Sequence, residues 1–491
     1  MSVSRQAAAG VAWNLAAGLS TRALGLVGSL ILTRFVEPAE FGDVSAAVVV
    51  VATATRFADY SLGSYVMTRQ TAPSVTFQAF GYHLGAIATA CLAVTLFRQA
   101  IAAAVGDPDI ARYVPWLALA AVLTHVARIP EATLYRALRF RTLATARAIG
   151  DVVYTVVSVS LVPFLRAGAV VAGNLARAVA FTATIVARSD RSEWFRPAAL
   201  RLATAKEMLR FGVPLSARNL AETLASTWDI LLVGRLFGSQ VMGEYALASS
   251  LADIAGQVAE YIGEVLLPSL ANLDVDRQRL ALPRVSAMMA LVLFPVIAGL
   301  AVVAPTLTGA MLPPHWADLA PMLAILCFRS VPIPVNSVFW SYFAVRRRTT
   351  PIMYIGMAKL ALVVGLLLTL GRSGPLWACV AVVLAFQLTA LLQVFVGWRL
   401  EHLPPGPLIA TTLRPLVASG LMAVVVLLFR ATIEAWMNTP IQMALVLELG
   451  VGLAAYAGTA FLVARPTTIE FIRVVRGVVS RKRSQGEELG G

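Results

Sequence analysis

The sequence predicts an all-α integral membrane protein of about fourteen transmembrane helices, and three observations predict it. Of 491 residues, 58% are apolar and 13% charged, against about 25% charged in a soluble domain, so water is not the main solvent. Apolar stretches of about 17 to 25 residues, the length that crosses a hydrocarbon core as helix, recur between short Pro, Gly or charged breaks. Runs such as Ala46 to Ala52 and Leu360 to Leu368 do not alternate apolar and polar residues, as the strands of a transmembrane barrel do.

In chain order the spans are predicted at 9–35, 41–60, 78–98, 113–135, 142–164, 167–187, 211–236, 241–266, 285–305, 317–344, 351–370, 375–397, 413–433 and 441–463. The first begins like a signal peptide, with Arg5 ahead of it. Its apolar stretch runs on to Leu32 with Arg22 at its middle, so it is read as a retained helix. The second opens at Pro38, which suits a first helical turn because it lacks an N–H, and Glu40 there opposes the helix dipole favourably. Spans one to six make an N-terminal bundle, 1–188. The long break that follows, 189–210, mixes Trp194, Phe195, Leu200 and Leu202 with Arg196, Arg201, Lys206 and Arg210, the pattern of an amphipathic helix lying on the cytoplasmic leaflet. Spans seven to twelve make a second bundle, 211–398, in which Pro332 and Pro334 kink the tenth span beside Arg329. Spans thirteen and fourteen occupy 399–464. The tail, 465–491, sets Ile469 and Ile472 against Arg473, Arg476 and Arg481-Lys482-Arg483, and suits anionic lipid.

Orientation follows from the Lys and Arg of alternate loops. One side holds Arg34, Arg98, Arg112, Arg166, Arg235, Arg372 and Arg430; the other gathers more than three times as many, including Arg136, Arg139, Arg141 and Arg346 to Arg348. Both termini are therefore expected in the cytoplasm.

A repeat runs through the first eight spans. Arg34-Phe35-Val36 and Phe41-Gly42-Asp43 align at an offset of 201 with Arg235-Leu236-Phe237 and Met242-Gly243-Glu244, and Ala58-Asp59-Tyr60 with Ala259-Glu260-Tyr261. Six helices separate the copies, so two parallel six-helix bundles around a central cavity are expected, related by an axis along the membrane normal.

Several functions are excluded. The net charge of +14 is spread over many loops rather than one soluble domain, which argues against nucleic acid. Cys91, Cys327 and Cys379 lie in apolar stretches and imply no disulfide or metal framework. His83, His125, His315 and His402 show no metal-ligand spacing, so no metal site is predicted. No Gly-rich phosphate loop appears. Asp274-Val275-Asp276 could hold a metal on a nucleotide-sugar, but its loop has no room for a nucleotide-binding domain.

Ionisable groups inside spans cost several kcal/mol unless paired or in a wet cavity. Arg56 with Asp59, Arg128 with Glu131, Arg147 with Asp151, and Arg218 with Glu222 are spaced to meet on one helix face. Arg22, Arg177, Arg329 and Lys359 lie near mid-span with no carboxylate at that spacing. Two readings stand for them. They neutralise Asp229, Asp253, Glu260 and Glu448 between helices as polar glue, or they line the cavity and hold an anionic substrate head, the Arg forks gripping phosphate oxygens. Asp229 or Asp253 then carries a coupling proton or sodium ion.

Ala12-Trp13-Asn14, Leu32-Thr33-Arg34-Phe35, the turn Glu37-Pro38-Ala39-Glu40-Phe41-Gly42 and the Ala-rich second span resemble the Wzx-type polysaccharide flippases. These belong to the MOP superfamily, with the peptidoglycan-precursor flippases and the MATE drug exporters. Family members commonly show Leu-Gly-Pro in this turn; here Val36-Glu37 precede Pro38. The resemblance implies a flippase that moves a polyprenyl-pyrophosphate-linked oligosaccharide repeat unit from the cytoplasmic to the periplasmic leaflet of the bacterial inner membrane. Alternating access, surface polysaccharide synthesis (lipopolysaccharide O-antigen or exopolysaccharide) and a monomeric transport unit come with it. Its partners would be the lipid-linked glycan, membrane lipids and polysaccharide polymerase machinery; it implies no cofactor beyond a proton or sodium gradient. A MATE-like ion-coupled small-molecule exporter is the rival within the same architecture, and its cavity should be dominated by acids. A membrane glycosyltransferase or ligase is the enzyme alternative, but no outer loop is large enough to house one.

Overall fold

The computed structural model describes residue 25 and residues 27–69, 71–271, 275–346, 350–403, 405–436 and 439–473. Among the described residues the regular structure is all helical. Two compact units form: Met1–Ala246 with Val363–Pro375, and Leu247–Leu362 with Leu376–Gly491.

The first unit contains α1 (Pro38–Ala58), α2 (Leu62–Thr68), α3 (Pro73–Leu96), α4 (Arg98–Val105), α5 (Ile110–Val126), α6 (Arg128–Arg136), α7 (Phe140–Leu165), α8 (Gly168–Arg188), α9 (Arg191–Trp194) and α10 (Leu202–Phe237). Next comes α11 (Ser239–Ala271), then α12 (Val275–Met311), α13 (Leu319–Leu326), α14 (Ile333–Val345), α15 (Thr350–Thr369), α16 (Pro375–Glu401), α17 (Pro405–Trp436) and α18 (Ile441–Val463). Among the described residues eleven helical segments are long and apolar enough to cross a membrane, and they fall on expected spans two to six and nine to fourteen. Expected spans seven and eight are α10 and α11, of 36 and 33 residues, which are not among those eleven. Most of the first expected span, with Arg22, lies outside the described residues, as does Asp274; Val275 begins α12.

Pro38 opens α1 as its turn chemistry predicts, with Glu40 in the first turn. Arg166, between α7 and α8, fixes that turn from outside: it donates to Glu37 Oε1 at 3.0 Å and to Glu40 at 3.2 Å. Behind the turn, Val44, Val50, Ile87, Ile110, Val114 and Val170 are buried together, so α1, α3, α5 and α8 share one apolar core.

The repeat reappears as a physical contact. At the offset of 201, Pro38 corresponds to Ser239, and these residues begin α1 and α11. A Cβ on Gly42 would sit 2.3 Å from the Ser239 carbonyl oxygen, and one on Gly243 only 1.7 Å from the Pro38 carbonyl oxygen. Each glycine thus faces the first residue of the other copy's helix, and the contact maps onto itself when the copies are exchanged. No residue with a side chain fits at either position without parting the backbones. The motif acids that follow, Asp43 and Glu244, are both buried.

The segment 189–210 is stitched to the first unit. Asp190 caps α9 by accepting from the Ser192 hydroxyl and N–H at 2.7 and 2.9 Å, which holds its carboxyl below the usual range. Trp194 is buried with Leu62, Tyr65, Ile129 and Met208. Glu193 pairs with Arg136 at 3.1 Å, and Glu207 with Arg69 at 2.7 Å. Phe195, Leu200 and Leu202 remain exposed beside exposed Arg196 and Arg201.

In the second unit α12, α17 and α18 pack against one another. Arg430 on α17 forks both oxygens of Glu448 on α18, at 2.7 and 2.8 Å, and Thr306 on α12 donates to the same carboxylate at 3.0 Å. Glu448, with no partner on its own helix, is therefore an interhelical anchor held by Arg430 and Thr306. Cys91, Cys327 and Cys379 are buried, and no disulfide joins them.

Candidate functional site

The densest functional geometry lies where a span breaks. Pro332 cannot donate to the Phe328 carbonyl one turn back, and α13 gives way to a tighter turn, Cys327–Ser330, before α14 begins. The carbonyl freed by Pro332 accepts instead from Val331 N–H at 3.2 Å and from Gln387 Nε2 of α16 at 2.9 Å. The α-helix is interrupted beside Pro332 and Pro334 as predicted, and the carbonyl left without its helical donor is met by a side chain from another helix.

Arg329 sits inside this break, only 6% exposed, and pairs with Asp253 of α11, which is 51% exposed. Gly256 lets α11 come close: a Cβ there would already be 3.2 Å from Ile333. The Arg329 guanidinium lies 5.5 Å from the centroid of Phe386, and Lys359 of α15 places its Nζ 4.1 Å from the same ring. Two of the four predicted cations thus share one aromatic ring, each within cation–π range. The guanidinium is buried while its carboxylate partner is half open. Such a fork can exchange a protein carboxylate for another anion without being rebuilt.

In the first unit Arg177 of α8 pairs with Asp151 of α7 at 2.8 Å and is half exposed. Gly150 makes room for it, with the Arg177 side chain 3.4 Å from where a Cβ would stand. This corrects the expected pairing of Arg147 with Asp151. Arg147 reaches Glu131 instead, at 3.1 Å, and Glu131, buried, also receives Arg128 at 3.4 Å as expected. The expected pair of Arg56 and Asp59 does not close among the described contacts: Arg56 is exposed, and Asp59 accepts from Ser61 N–H at 3.0 Å. The side chains of Arg218 and Glu260 lie outside the described residues.

Neither predicted ion-coupling acid stands alone. Asp253 belongs to Arg329. Asp229 is buried and accepts from Tyr245 Oη at 2.6 Å and from Ile230 N–H at 3.1 Å. Sequence reasoning missed Phe386 and Gln387, because an aromatic and an amide in an apolar span carry no local signal of a partner on another helix. It also missed that His83 and His125, 42 residues apart, share a hydrogen bond of 3.0 Å.

Comparison with known proteins agrees with this architecture. The family described as polysaccharide biosynthesis protein matches residues 31–321. The lipopolysaccharide biosynthesis protein WzxC of Escherichia coli K12 is 25% identical over 350 residues, covering 69% of this chain and 70% of that one. The succinoglycan biosynthesis transport protein ExoT of Rhizobium meliloti is 23% identical over 437 residues, 85% of each chain. Among solved structures, an inward closed lipid II flippase MurJ superposes with a TM-score of 0.77 at 12% identity, covering 92% of this chain and 99% of that one. An inward-facing MATE multidrug transporter of the MOP superfamily superposes at 0.62 with 14% identity, covering 77% and 94%.

Proposed function

The chain belongs to the polysaccharide biosynthesis protein family, and from that premise we propose that it is a flippase moving a lipid-linked oligosaccharide across the membrane. It is a transporter, not an enzyme. The repeat unit rides on polyprenyl pyrophosphate from the cytoplasmic to the periplasmic leaflet of the inner membrane, with both termini in the cytoplasm. The glycan passes through the protein by alternating access while the lipid tail stays in the bilayer, and the transport unit is a monomer that hands its product to polysaccharide polymerase machinery.

The observation that carries the assignment of the site is the Arg329–Asp253 pair at the broken span, with Lys359 on the shared Phe386 ring. A guanidinium fork holds phosphate oxygens as it holds a carboxylate, and a pyrophosphate carries more charge, so it displaces Asp253 from the guanidinium and draws on Lys359 at once. Within the first unit Arg177, half exposed beside Asp151, is likewise assigned to anionic groups of the substrate, as is Arg22. A MATE-like exporter of cations is the weaker reading, since basic groups dominate this cluster. Exposed Phe195, Leu200 and Leu202 beside Arg196 and Arg201 suit contact with anionic lipid at the cytoplasmic face.

Cells depleted of the protein test this reading. The lipid-linked glycan should accumulate out of reach of a lectin applied to the periplasmic side, and re-expression should restore its exposure. Unchanged exposure after depletion would refute the proposal.

A further inference from the structure

One cluster, buried at Asp59 and His83, has no part in the basic site just described. The α1 helix ends at Ala58, and Asp59 follows as its cap, 7% exposed. The chain then turns through Ser61 in the left-handed region at φ 52. That turn is held on three sides: Ser61 N–H donates to Asp59 Oδ1 at 3.0 Å, Ser61 Oγ meets Ser216 Oγ at 2.9 Å, and Gly212 of α10 lies so close that a Cβ there would be 1.8 Å from the Tyr60 carbonyl oxygen. The Asp59 carboxylate is thereby fixed toward α3.

Facing it is His83, 1% exposed, whose Nδ1 lies 3.9 Å from Asp59 Oδ1 and has no hydrogen-bond partner. On its far edge, His83 Nε2 is 3.0 Å from Nδ1 of His125 on α5. A histidine that only fills a core ordinarily satisfies both nitrogens; here one is orphaned and aimed at a carboxylate. The other charges acting on the rings are Arg56 of α1 and Arg128 of α6, and Arg128 is itself engaged by Glu131. Among the described residues no three His, Cys, Asp or Glu groups are placed to share a metal ion.

The bond between the rings fixes the proton arithmetic. Two neutral imidazoles carry one N–H each, and one of these must lie between His83 Nε2 and His125 Nδ1. If His125 donates, the remaining N–H is on His83 Nδ1, pointing at Asp59. If His83 donates, it is on His125 Nε2, at the opposite end. A proton arriving at one end and shifting through the ring-to-ring bond releases one at the other, with no bond to carbon or oxygen changed. One further proton makes a shared imidazolium whose charge Asp59 answers.

We propose that Asp59, His83 and His125 form a proton-binding site inside the membrane, through which transport is coupled to the proton gradient. The coupling rests on the flippase reading; the site itself does not. This role falls to the ring pair rather than to Asp229, whose carboxylate Tyr245 holds, or Asp253, which belongs to the basic site as the counter-ion of Arg329.

The whole chain has 4 histidines, so imidazole nitrogen resonances of the full-length protein in lipid nanodiscs can be assigned by single His→Gln changes. The expected result is one joint titration step in which His83 and His125 shift together, and its loss or displacement in Asp59→Asn. Asp59→Glu, which keeps the charge, should retain the step and guards against a folding defect in the first variant. Rings that stay neutral at every pH where the protein is folded, or that titrate identically in Asp59→Asn, overturn the site. In proteoliposomes carrying lipid-linked oligosaccharide, a gradient of about one pH unit, a tenfold difference in proton activity, should accelerate wild-type flipping, and His125→Gln should lose that acceleration. Equal acceleration of His125→Gln overturns the coupling. A wild-type protein that moves no glycan with or without a gradient refutes the transport reading and the coupling with it, and the titration still decides the site.

Discussion

Replacing Gly243 by alanine places a methyl carbon 1.7 Å from the Pro38 carbonyl oxygen, 2.6 Å from its carbon and 3.0 Å from Gly42 N. All three are backbone atoms, so no rotamer change relieves the overlap. The starts of α1 and α11 must part by more than an ångström, and the core behind them follows. Overpacking of this kind costs about 1–3 kcal/mol, and a purely backbone clash belongs at the upper end. At roughly 2 °C per kcal/mol for a chain this large, the apparent melting temperature in detergent should fall by about 5 °C. Gly42→Ala, which meets the Ser239 carbonyl oxygen at 2.3 Å, should do the same, because the two positions are exchanged by the repeat. Gly365→Ala and Gly420→Ala are controls: nothing lies within 4 Å of a Cβ at either position. Both are inside helices, where alanine is favoured over glycine by up to about 1 kcal/mol, so stability should hold or rise. Thermal unfolding of the four purified variants by tryptophan fluorescence measures all of this. A Gly243→Ala protein that melts with wild type would refute the close crossing of the two repeat copies.

Other expectations follow from the ion pairs and the broken span. Arg329→Gln should lower glycan flux at least about tenfold, worth about 1.4 kcal/mol, at matched protein levels. Arg329→Lys should recover only part, because a point charge does not reproduce the fork; equal flux in all three proteins would contradict the assigned role. A double-mutant cycle on thermal stability should find Arg147 coupled to Glu131 by roughly 0.5 kcal/mol or more and uncoupled from Asp151, and the reverse result would restore the pairing read from the sequence. Glu448→Gln, which strands Arg430 among α12, α17 and α18, should cost about 3 kcal/mol, whereas replacing both partners by apolar residues of similar volume should cost much less; expression and melting temperature report the difference. Gln387→Leu leaves the Phe328 carbonyl with Val331 N–H alone and should cost about 1 kcal/mol, read as a small drop in melting temperature.

The fold was legible where the bilayer dictates it. A hydrocarbon core demands about 20 apolar residues per helix, so expected spans two to six and nine to fourteen announce themselves, and Pro332 and Pro334 mark the break beside Arg329. The repeat was legible because a backbone crossing tolerates only glycine, and Gly42 and Gly243 preserve it at the offset of 201. Individual side-chain partners were legible when the helix itself supplied them, as for Arg128 and Glu131, whereas between helices the sequence named only the groups, from which Arg329 and Asp253 come together. The spacing of Arg147 and Asp151 was equally suitable, but Arg177 on α8 reaches Asp151 first and leaves Arg147 to Glu131. Competition between helices decides such cases, and one-dimensional spacing carries no record of it. The same limit hid Phe386 beneath Arg329 and Lys359, the Tyr245 hydroxyl on Asp229 and the bond between His83 and His125.

The central claim is tested most directly by reconstituting the purified protein into liposomes with a fluorescent polyprenyl-pyrophosphate oligosaccharide and following the appearance of the glycan at the outer leaflet with an impermeant quencher. Protein-containing vesicles should expose the glycan from the inner leaflet within minutes, Arg329→Gln vesicles should do so at least about tenfold more slowly, and protein-free vesicles not at all. Equal exposure in vesicles with and without the protein would contradict the account.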